Sequence, residues 1–337
     1  MRKGICVAGN MIVDILYPIE GWPSQGELVH IKDGISRATG GAVCNVIMDL
    51  ATLDPHLPLQ AMGKIGKDAE GDLILEKLGG FANIDTSNVL QEGISALTLV
   101  MSDVKAGQRT FFTYPGANGT FDESCIDWSR VNADIFHIGY ILLLNTLDAP
   151  DEEYGSKMAR LLHHAQQHGL KTSIDVVSET SDRFTRLVPP AMKYADYCII
   201  NEYEAQMTTG IPLRDDSGNL IRENLPEALA AMKRMGVSTW AVIHCPEGGY
   251  GLDEAGQYVA RASLALPEGY IQGSVGAGDA FCAGVLYGAE QRFSLADAID
   301  LGVASAAAAL SAPGATEGMR PKDEVLELLK KYDRRQE

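Results

Sequence analysis

Residues 273–281 read GSVGAGDAF, and this segment says more about the fold than any other part of the chain. Because a run that favours a helix follows it, Gly276, Ala277 and Gly278 are expected to form a tight turn at the helix N-terminus. Several free N–H groups then point at one place, where the helix dipole adds positive potential, and together they predict an anion-binding hole. Asp279 follows on what we expect to be an exposed first turn. A carboxylate beside an anion favours a catalytic role, namely a base that removes a proton from an attacking hydroxyl.

The composition excludes several classes of partner. The chain has 337 residues, with 45 acidic side chains against 28 Lys and Arg, which gives a formal net charge of −17. Nucleic acids and anionic membranes need clustered basic side chains, so neither is expected as a partner. The longest apolar run, near residues 135–144, is too short to span a bilayer. The six cysteines show no metal-binding spacing and favour reduced thiols in a cytoplasmic protein.

Short apolar segments alternate with helix-like segments along most of the chain, which is the pattern of βα units on a parallel sheet. The strand segments lack in/out alternation, as expected if helices cover both faces of the sheet. The predicted strands cover residues 4–8, 135–138, 172–176, 197–200 and 240–244, and the clearest helices cover 152–168, 226–235 and 322–332. No linker or repeat divides the chain, so residues 1–337 are predicted to form a single α/β domain.

Two segments, at about residues 15–37 and 93–118, break this rhythm. They alternate between polar and apolar side chains and carry turn residues, and within the second one residues 96–102 and 109–114 predict a hairpin. We expect the two segments to pair with each other into a small separate sheet, a lid beside the main domain. Edge strands of the main sheet are the alternative.

Residues 273–281 resemble the C-terminal signature of the ribokinase-like, PfkB-type carbohydrate kinases, D-T-[VTI]-G-A-G-D-x-F. The anion hole and Asp279 match it, whereas the leading Asp is Gly273 here and the Thr is Ser274. In the family that leading Asp helps to form a monovalent-cation site, so the departure brings potassium activation into question. The resemblance extends along the whole chain in order and spacing. It implies a three-layer α/β/α domain with a mostly parallel central sheet and a small β-sheet lid.

The N-terminal part of the resemblance concerns the sugar. Asp14 follows the opening strand and resembles the family's Asp that holds sugar hydroxyls, a task for which a carboxylate is a good acceptor. Gly40 and Gly41, followed by Asn45, resemble the family's sugar-binding glycine pair and the Asn at the start of a helix. Residues 63–71 match the family's turn G-x-x-G-x-D-x-x-G.

The C-terminal half carries the residues that the resemblance assigns to the nucleotide and the metal. Asn201 and Glu204 form an N-x-x-E motif, which in the family organises Mg²⁺ and nucleotide phosphates, with Glu204 acting through water. An ordinary helix start is the alternative, since these are common first-turn residues. The turn from His244 to Gly249 stands where the family has T-x-G-x-x-G in contact with nucleotide, and Ser274 is assigned to the same ligand. Residues 304–310 resemble the family's packed helix beside the nucleotide.

The resemblance implies a cytoplasmic enzyme that uses ATP and Mg²⁺ to phosphorylate a hydroxyl of a small sugar or sugar-like alcohol, with Asp279 as the base. Two alternatives stay open, a nucleoside kinase of the same superfamily and a sugar-sensing binding protein without catalysis. Phe112 and Tyr114 are the candidate substrate contacts of the lid. The aromatic run from Phe111 to Tyr114 also leaves a second lid face to cover, and we expect a homodimer that pairs two lids, as relatives often do.

Overall fold

Most of the chain is built around a large β-sheet. The computed structural model describes residues 3–336, so residues 1, 2 and 337 of the predicted domain lie outside the described part. Numbered along the chain, the strands are β1 (Ile5–Gly9), β2 (Ile12–Ile19), β3 (Ser36–Gly40), β4 (Leu59–Ile65), β5 (Ile84–Gln91), β6 (Ala96–Asp103), β7 (Gln108–Tyr114), β8 (Ile135–Ile141), β9 (Lys171–Val176), β10 (Tyr197–Asn201), β11 (Trp240–Cys245), β12 (Gly248–Leu252) and β13 (Tyr258–Ala262). The large sheet has the order β13-β12-β11-β10-β9-β8-β1-β4-β5. Its strands pair in parallel, except where β12 meets β11 and β13.

Helices cover both faces of this sheet and give the domain three layers. In chain order they are α1 (Gly41–Leu53), α2 (Ala69–Gly79), α3 (Lys157–Gln167), α4 (Phe184–Met192), α5 (Glu202–Thr209), α6 (Leu225–Met235), α7 (Ala277–Glu290), α8 (Leu295–Ala309) and α9 (Lys322–Lys331). Helices α1, α2, α7, α8 and α9 pack in the core on one face, and α3 to α6 pack in the core on the other. Among residues 3–336, no helix is both long enough and apolar enough to cross a bilayer.

The segments around residues 15–37 and 93–118 contribute to a second sheet of order β3-β2-β6-β7, called here the small sheet. In it β2 pairs antiparallel with β3 and parallel with β6, and β6 forms the predicted hairpin with β7. The expected separate sheet is therefore present, and the alternative of edge strands on the main sheet is wrong.

Two sequence predictions differ from the structure. The helix predicted to begin at residue 152 begins at Lys157, because Asp151 accepts hydrogen bonds from the N–H groups of Glu153 and Tyr154 and holds a turn. Ser156 then caps the helix by accepting from the N–H of Ala159. Strands β4, β5, β12 and β13 were absent from the predicted set.

Candidate active site

The loop before α7 has the backbone shape that the sequence predicted. Gly276 is the N-cap residue with a φ of 78°, and a Cβ there would lie 2.3 Å from the carbonyl oxygen of Ala315, so only glycine fits. The first hydrogen bond of the helix runs from the N–H of Ala280 to the carbonyl of Gly276 at 2.8 Å. An α-helix leaves its earlier N–H groups without partners inside the helix, and here these belong to Ala277, Gly278 and Asp279. The N–H of Ala277 makes a long turn hydrogen bond to the Ser274 carbonyl at 3.4 Å. The helix start therefore offers donors to an anion.

Asp279 is buried, and the expectation of an exposed first-turn carboxylate is wrong. It is only 8% exposed, and side chains from α1 and β8 contact it. The Tyr140 hydroxyl donates to its Oδ1 at 2.5 Å, and the Asn45 side-chain amide donates to its Oδ2 at 2.9 Å. Burial raises the pKa of Asp279 to about 6, although both hydrogen bonds act to lower it. The carboxyl is therefore largely ionised at neutral pH and can accept a proton.

Two more buried carboxyls share a cavity with Asp279. This smaller cavity has a volume of about 260 Å³ and is lined by Asp175 from β9, Glu204 from α5, and Tyr140, among others. Burial is the first cause that raises the pKa of Asp175 well above its usual range, and the charges of Glu204 and Asp279 add to it. Burial likewise raises the pKa of Glu204 to about 7. Asp175 and Glu204 line this cavity with no lysine or arginine among its described lining residues, and their carboxylate oxygens suit a divalent cation.

The predicted N-x-x-E motif lies at the edge of the same cavity and also starts a helix. Asn201 caps α5 by accepting from the N–H of Glu204 at 2.9 Å, and the Glu204 carboxylate accepts from the N–H of Asn201 at 2.9 Å. Glu204 also accepts from the Ser178 hydroxyl at 2.8 Å. The motif thus has a structural role in addition to its place beside the cavity, which Asn201 and Glu204 both line.

A larger, mostly apolar cavity lies next to the smaller one. Its volume is about 510 Å³, and Asn201, His244 and Gly278 line both cavities. Helix α8 provides one wall through Val303, Ala306 and Ala307, as the prediction for residues 304–310 required. Ser274, which was also assigned to the nucleotide, lines this cavity as well. Among the described lining residues, Arg335 is the only Lys or Arg.

His244 and Gly249 have different surroundings, although both were assigned to the nucleotide. The imidazole of His244 lies at the junction of the cavities, packs against Phe281 at 4.9 Å between ring centroids, and has its pKa lowered to about 4 by burial. Gly249 does not line either cavity: a Cβ there would lie 2.7 Å from Ile299, so this glycine lets β12 approach α8. In the structure Gly249 has a packing role, and its assignment to the nucleotide stays a prediction.

The predicted sugar residues lie around the N-terminus of α1. Gly40 caps α1 and touches Asp14, since a Cβ on Gly40 would lie 2.8 Å from Asp14 Oδ2. Gly41 has a φ of 86° and lies against Asn10. Asn45, one turn into the helix, reaches Asp279. Neither of the two cavities is lined by these residues, but the first turns of α1 lie between Asp14, beside Gly40, and Asp279, which Asn45 contacts.

Phe112 and Tyr114 do not share a face of the small sheet with Asp14. Asp14 pairs in register with Thr98, and Thr98 with Thr113, so these three side chains lie on one face. Phe112 and Tyr114 alternate with Thr113 and therefore lie on the opposite face, where Phe112 stacks on Trp22 with centroids 6.1 Å apart. As placed, the two aromatic side chains and Asp14 cannot contact one substrate.

Sequence reasoning missed Tyr140 and Asp175 as site residues. Asp175 carried a usable signal, because it comes near the carboxyl end of a predicted parallel strand, where ligands bind in α/β proteins. Tyr140 carried none, because it lies just past the segment predicted as β8 and its partner Asp279 is 139 residues away.

Comparison with known proteins identifies the family. The model of the pfkB family of carbohydrate kinases matches residues 2–323. Among curated proteins, the ribokinase of Arabidopsis thaliana is 25% identical over 336 residues, which cover 97% of this chain and 81% of that protein. The 2-dehydro-3-deoxygluconokinase of Bacillus subtilis is 25% identical over 320 residues, which cover 89% of this chain and 89% of that protein.

Solved structures show the same fold. Ribokinase from Arabidopsis thaliana, complexed with ribose and ATP, matches with a TM-score of 0.79 and 22% identity over 98% of this chain and 99% of that chain. A nucleoside kinase from Methanocaldococcus jannaschii matches with a TM-score of 0.72 and 16% identity over 98% of this chain and 99% of that chain. The predicted three-layer fold with its small sheet is confirmed. The chain belongs to the pfkB family of carbohydrate kinases.

Proposed function

We propose that this carbohydrate kinase transfers the terminal phosphoryl group of ATP to a hydroxyl of a small sugar or sugar-like alcohol. One observation carries the proposal: the buried Asp279 carboxylate and the N-terminus of α7 meet where two cavities adjoin. Phosphoryl transfer needs a group that orients and deprotonates the acceptor hydroxyl and donors that balance charge on the transferred group. Asp279 supplies the first, and the N–H groups of the helix start supply the second.

The nucleotide would occupy the larger cavity. Its apolar walls from α8 suit a flat base, and its polar end at Asn201, His244 and Gly278 adjoins the smaller cavity that Asp279 lines. A nucleotide in this orientation directs its terminal phosphate toward the start of α7. His244 is neutral at physiological pH because burial lowers its pKa to about 4, so it can hydrogen-bond a phosphate but adds no charge.

Mg²⁺ suits the carboxyl-lined side of the smaller cavity. Asp175 and Glu204 are the residues that would hold it. Because donors from Ser178 and Asn201 already occupy the Glu204 carboxylate, contact through water suits this residue. When bound, the ion would neutralise phosphate charge and lower the pKa values that burial raises. The chain's own contribution is to hold these carboxyls in place, with the Ser178 hydroxyl and the Asn201 amide fixing Glu204.

The acceptor would bind between Asp14 and Asp279. The five residue steps from Gly40 to Asn45 correspond to a rise of about 7–8 Å along α1, which is the size of a monosaccharide. The side-chain oxygens of Asn10 and Asn45 are buried without a hydrogen-bond partner among the described residues, and hydroxyl donors of a sugar would satisfy them. Asp14 adds an acceptor whose pKa burial raises. The small sheet then acts as a lid over this site.

We also propose that activity does not depend on potassium. A Cβ at Gly273 would lie 2.7 Å from the carbonyl oxygen of Pro313, so the backbone leaves no room for the Asp that relatives place there. Turnover should be the same in potassium chloride and in tetramethylammonium chloride at equal ionic strength. A marked stimulation by potassium would contradict this proposal.

The proposed function is tested by measuring ADP release with ATP and Mg²⁺ on a panel of pentoses, hexoses, sugar acids and nucleosides. Phosphorylation of a sugar or sugar acid, identified by mass spectrometry of the product, is the expected result. Turnover on nucleosides alone would favour the nucleoside kinase. Binding of a sugar without turnover on any compound would favour the sugar-sensing protein.

A further inference from the structure

We propose that Tyr140 is a positioning residue that acts through Asp279, holding the carboxylate in one orientation and in its ionised form. The inference rests on the proposed function, since it is Asp279 as base that gives Tyr140 its role. Tyr140 lies at the end of β8 and its ring lines the smaller cavity beside Asp279. No motif of the family resemblance includes it.

The contact between the two side chains is short and its direction is unambiguous. The Tyr140 hydroxyl lies 2.5 Å from Asp279 Oδ1. Burial and the neighbouring Asp279 charge raise the pKa of Tyr140 well above its usual range, so the phenol keeps its proton and donates it. A hydrogen bond from a neutral hydroxyl to a carboxylate is among the stronger kinds in proteins. Tyr140 therefore stabilises the ionised form of Asp279 over the protonated form.

Each hydrogen-bond donor to Asp279 matters for its ionisation because of the groups that surround this carboxyl. The titratable groups that face it from neighbouring elements are carboxyls, a thiol and a neutral imidazole: Asp49 from α1, Asp175 from β9, Glu204 from α5, His244 from β11 and Cys282 from α7. The described residues that line the smaller cavity include no Lys or Arg. Two side chains, Tyr140 and Asn45, donate to Asp279. Burial already raises the pKa of Asp279 to about 6, and losing one of the donors that lower it raises this pKa further.

Tyr140 leaves Asp279 free to act on a substrate. A carboxylate offers about four lone-pair directions, and Tyr140 and Asn45 use two of them. An acceptor hydroxyl can therefore donate to the same oxygen atoms while Tyr140 remains in place. The two fixed donors restrict rotation of the carboxylate, so that a free lone pair keeps one direction relative to the start of α7.

The test compares the wild type with Tyr140→Phe, measuring kcat/KM for the acceptor across pH at saturating ATP. Because activity requires ionised Asp279, the rate falls as pH drops through the pKa of this carboxyl. Loss of the donor raises that pKa, so the acid limb of the profile should shift to higher pH by about one unit. At pH values below the limb, kcat/KM of the variant should be about tenfold lower than that of the wild type. At alkaline pH the variant should recover most of the wild-type rate, with the remaining loss due to the less restricted carboxylate, and its KM for ATP should stay the same.

Tyr287→Phe is the matched control. Tyr287 lies on the same helix as Asp279, is 2% exposed, and its hydroxyl donates to the carboxylate of Asp54 at 3.1 Å, away from both cavities. The control also removes a buried phenol hydroxyl that donates to a carboxylate, although this one accepts from Lys322 at 3.3 Å as well, and it should leave the acid limb unchanged. An unmoved limb in Tyr140→Phe, or a loss that is equal at every pH, would overturn the proposal.

A second measurement does not depend on turnover. The carboxyl resonance of Asp279, assigned by comparison with Asp279→Asn in protein labelled with ¹³C at the Asp carboxyls, reports its titration directly. The resonance should titrate at higher pH in Tyr140→Phe than in the wild type. If the wild type phosphorylates nothing in the panel but this shift occurs, the proposed function fails while the Tyr140 contact stands; an unshifted titration refutes the Tyr140 contact alone.

Discussion

Asp14 and Asn45 show how single side chains would define the acceptor site. Asp14 is half-buried on β2 beside Gly40, on one side of the proposed acceptor site. On the other side, Asn45 donates a hydrogen bond to Asp279. A buried acceptor that loses its hydroxyl donor, or a hydroxyl that loses its acceptor, costs about 1–3 kcal/mol. Recognition of a polyhydroxylated substrate therefore depends on a few such atoms.

Replacement of Asp14 with Ala should weaken binding of the acceptor and leave binding of the nucleotide unchanged. The lost hydrogen bond predicts an apparent KM for the acceptor that is about 5- to 100-fold higher. The KM for ATP should stay the same, because Asp14 lines neither cavity. Steady-state kinetics with each substrate varied in turn make the measurement, and an unchanged acceptor KM would remove Asp14 from the site.

At the residue scale, the sequence predicted which group reacts but not its environment. Asp279 and the glycines around it are recognisable because turn geometry is local. The burial of Asp279 and its two donors are not local, since Asn45 and Tyr140 lie 234 and 139 residues away along the chain. Nothing in the residues around 279 indicates those contacts. A sequence pattern therefore identifies a candidate base but not the pKa at which it works.

At the scale of elements, the C-terminal segment closes one side of the larger cavity. After α9 the chain pairs with the segment that follows β13: Arg334 forms a bridge with Leu264, and the N–H of Arg335 donates to the carbonyl of Ser263 at 2.8 Å. Arg334 also forms an ion pair with Asp300 of α8. This pairing places Arg335 at the cavity, next to the turn whose Pro246 has no N–H to offer a phosphate.

Arg335→Gln should weaken nucleotide binding and leave the KM for the acceptor unchanged. The guanidinium is exposed, so its attraction to nucleotide phosphates is screened, and we expect a KM for ATP about 2- to 5-fold higher. Lys331→Gln, on the same terminus but outside the cavity, is the control and should match the wild type. Equal KM values for ATP in all three proteins would show that Arg335 does not contact the nucleotide.

The strands that were predicted from the sequence are apparent from their own residues, whereas the strand β12, which was missed, depends on a neighbouring helix. Strands β8, β10 and β11 consist mostly of apolar residues, which predict buried parallel strands directly. Strand β12 reads as a turn because it contains three glycines, yet Gly249 and Gly251 are strand residues that let α8 pack closely, with a Cβ at Gly251 only 2.8 Å from Ile299. Their conformation is set by the neighbouring helix, which a local pattern cannot indicate.

At the scale of the whole molecule, the small sheet leaves an apolar surface exposed. Trp22, Phe112 and Tyr114 are 51%, 51% and 47% exposed, and Phe112 and Tyr114 lie on the face opposite Asp14. The sequence predicted that the two segments meet but not which side chains share a face, because that depends on the register between β6 and β7. These aromatic side chains favour contact with a second copy of the chain over contact with the substrate.

We expect a homodimer that buries this face of the small sheet. Light scattering coupled to size exclusion should give about twice the chain mass of 36.2 kDa at micromolar concentrations. Phe112→Ser should shift the population toward the monomer, whereas Tyr258→Ser, an exposed aromatic on β13 of the large sheet, should not. A single 36.2 kDa species in the wild type at all these concentrations would rule out the dimer.

The most direct measurement for the proposed mechanism is kcat of Asp279→Asn with the best acceptor, alongside the affinity for ATP by calorimetry. The Asn side chain keeps the size of the buried carboxyl, and thermal unfolding checks that the variant is folded. The N–H groups of the helix start remain, so ATP should bind at least as tightly as in the wild type. Without a proton acceptor, kcat should fall by about 10²- to 10⁴-fold. A folded variant that binds both substrates and keeps more than about a tenth of the wild-type kcat would show that Asp279 is not the base.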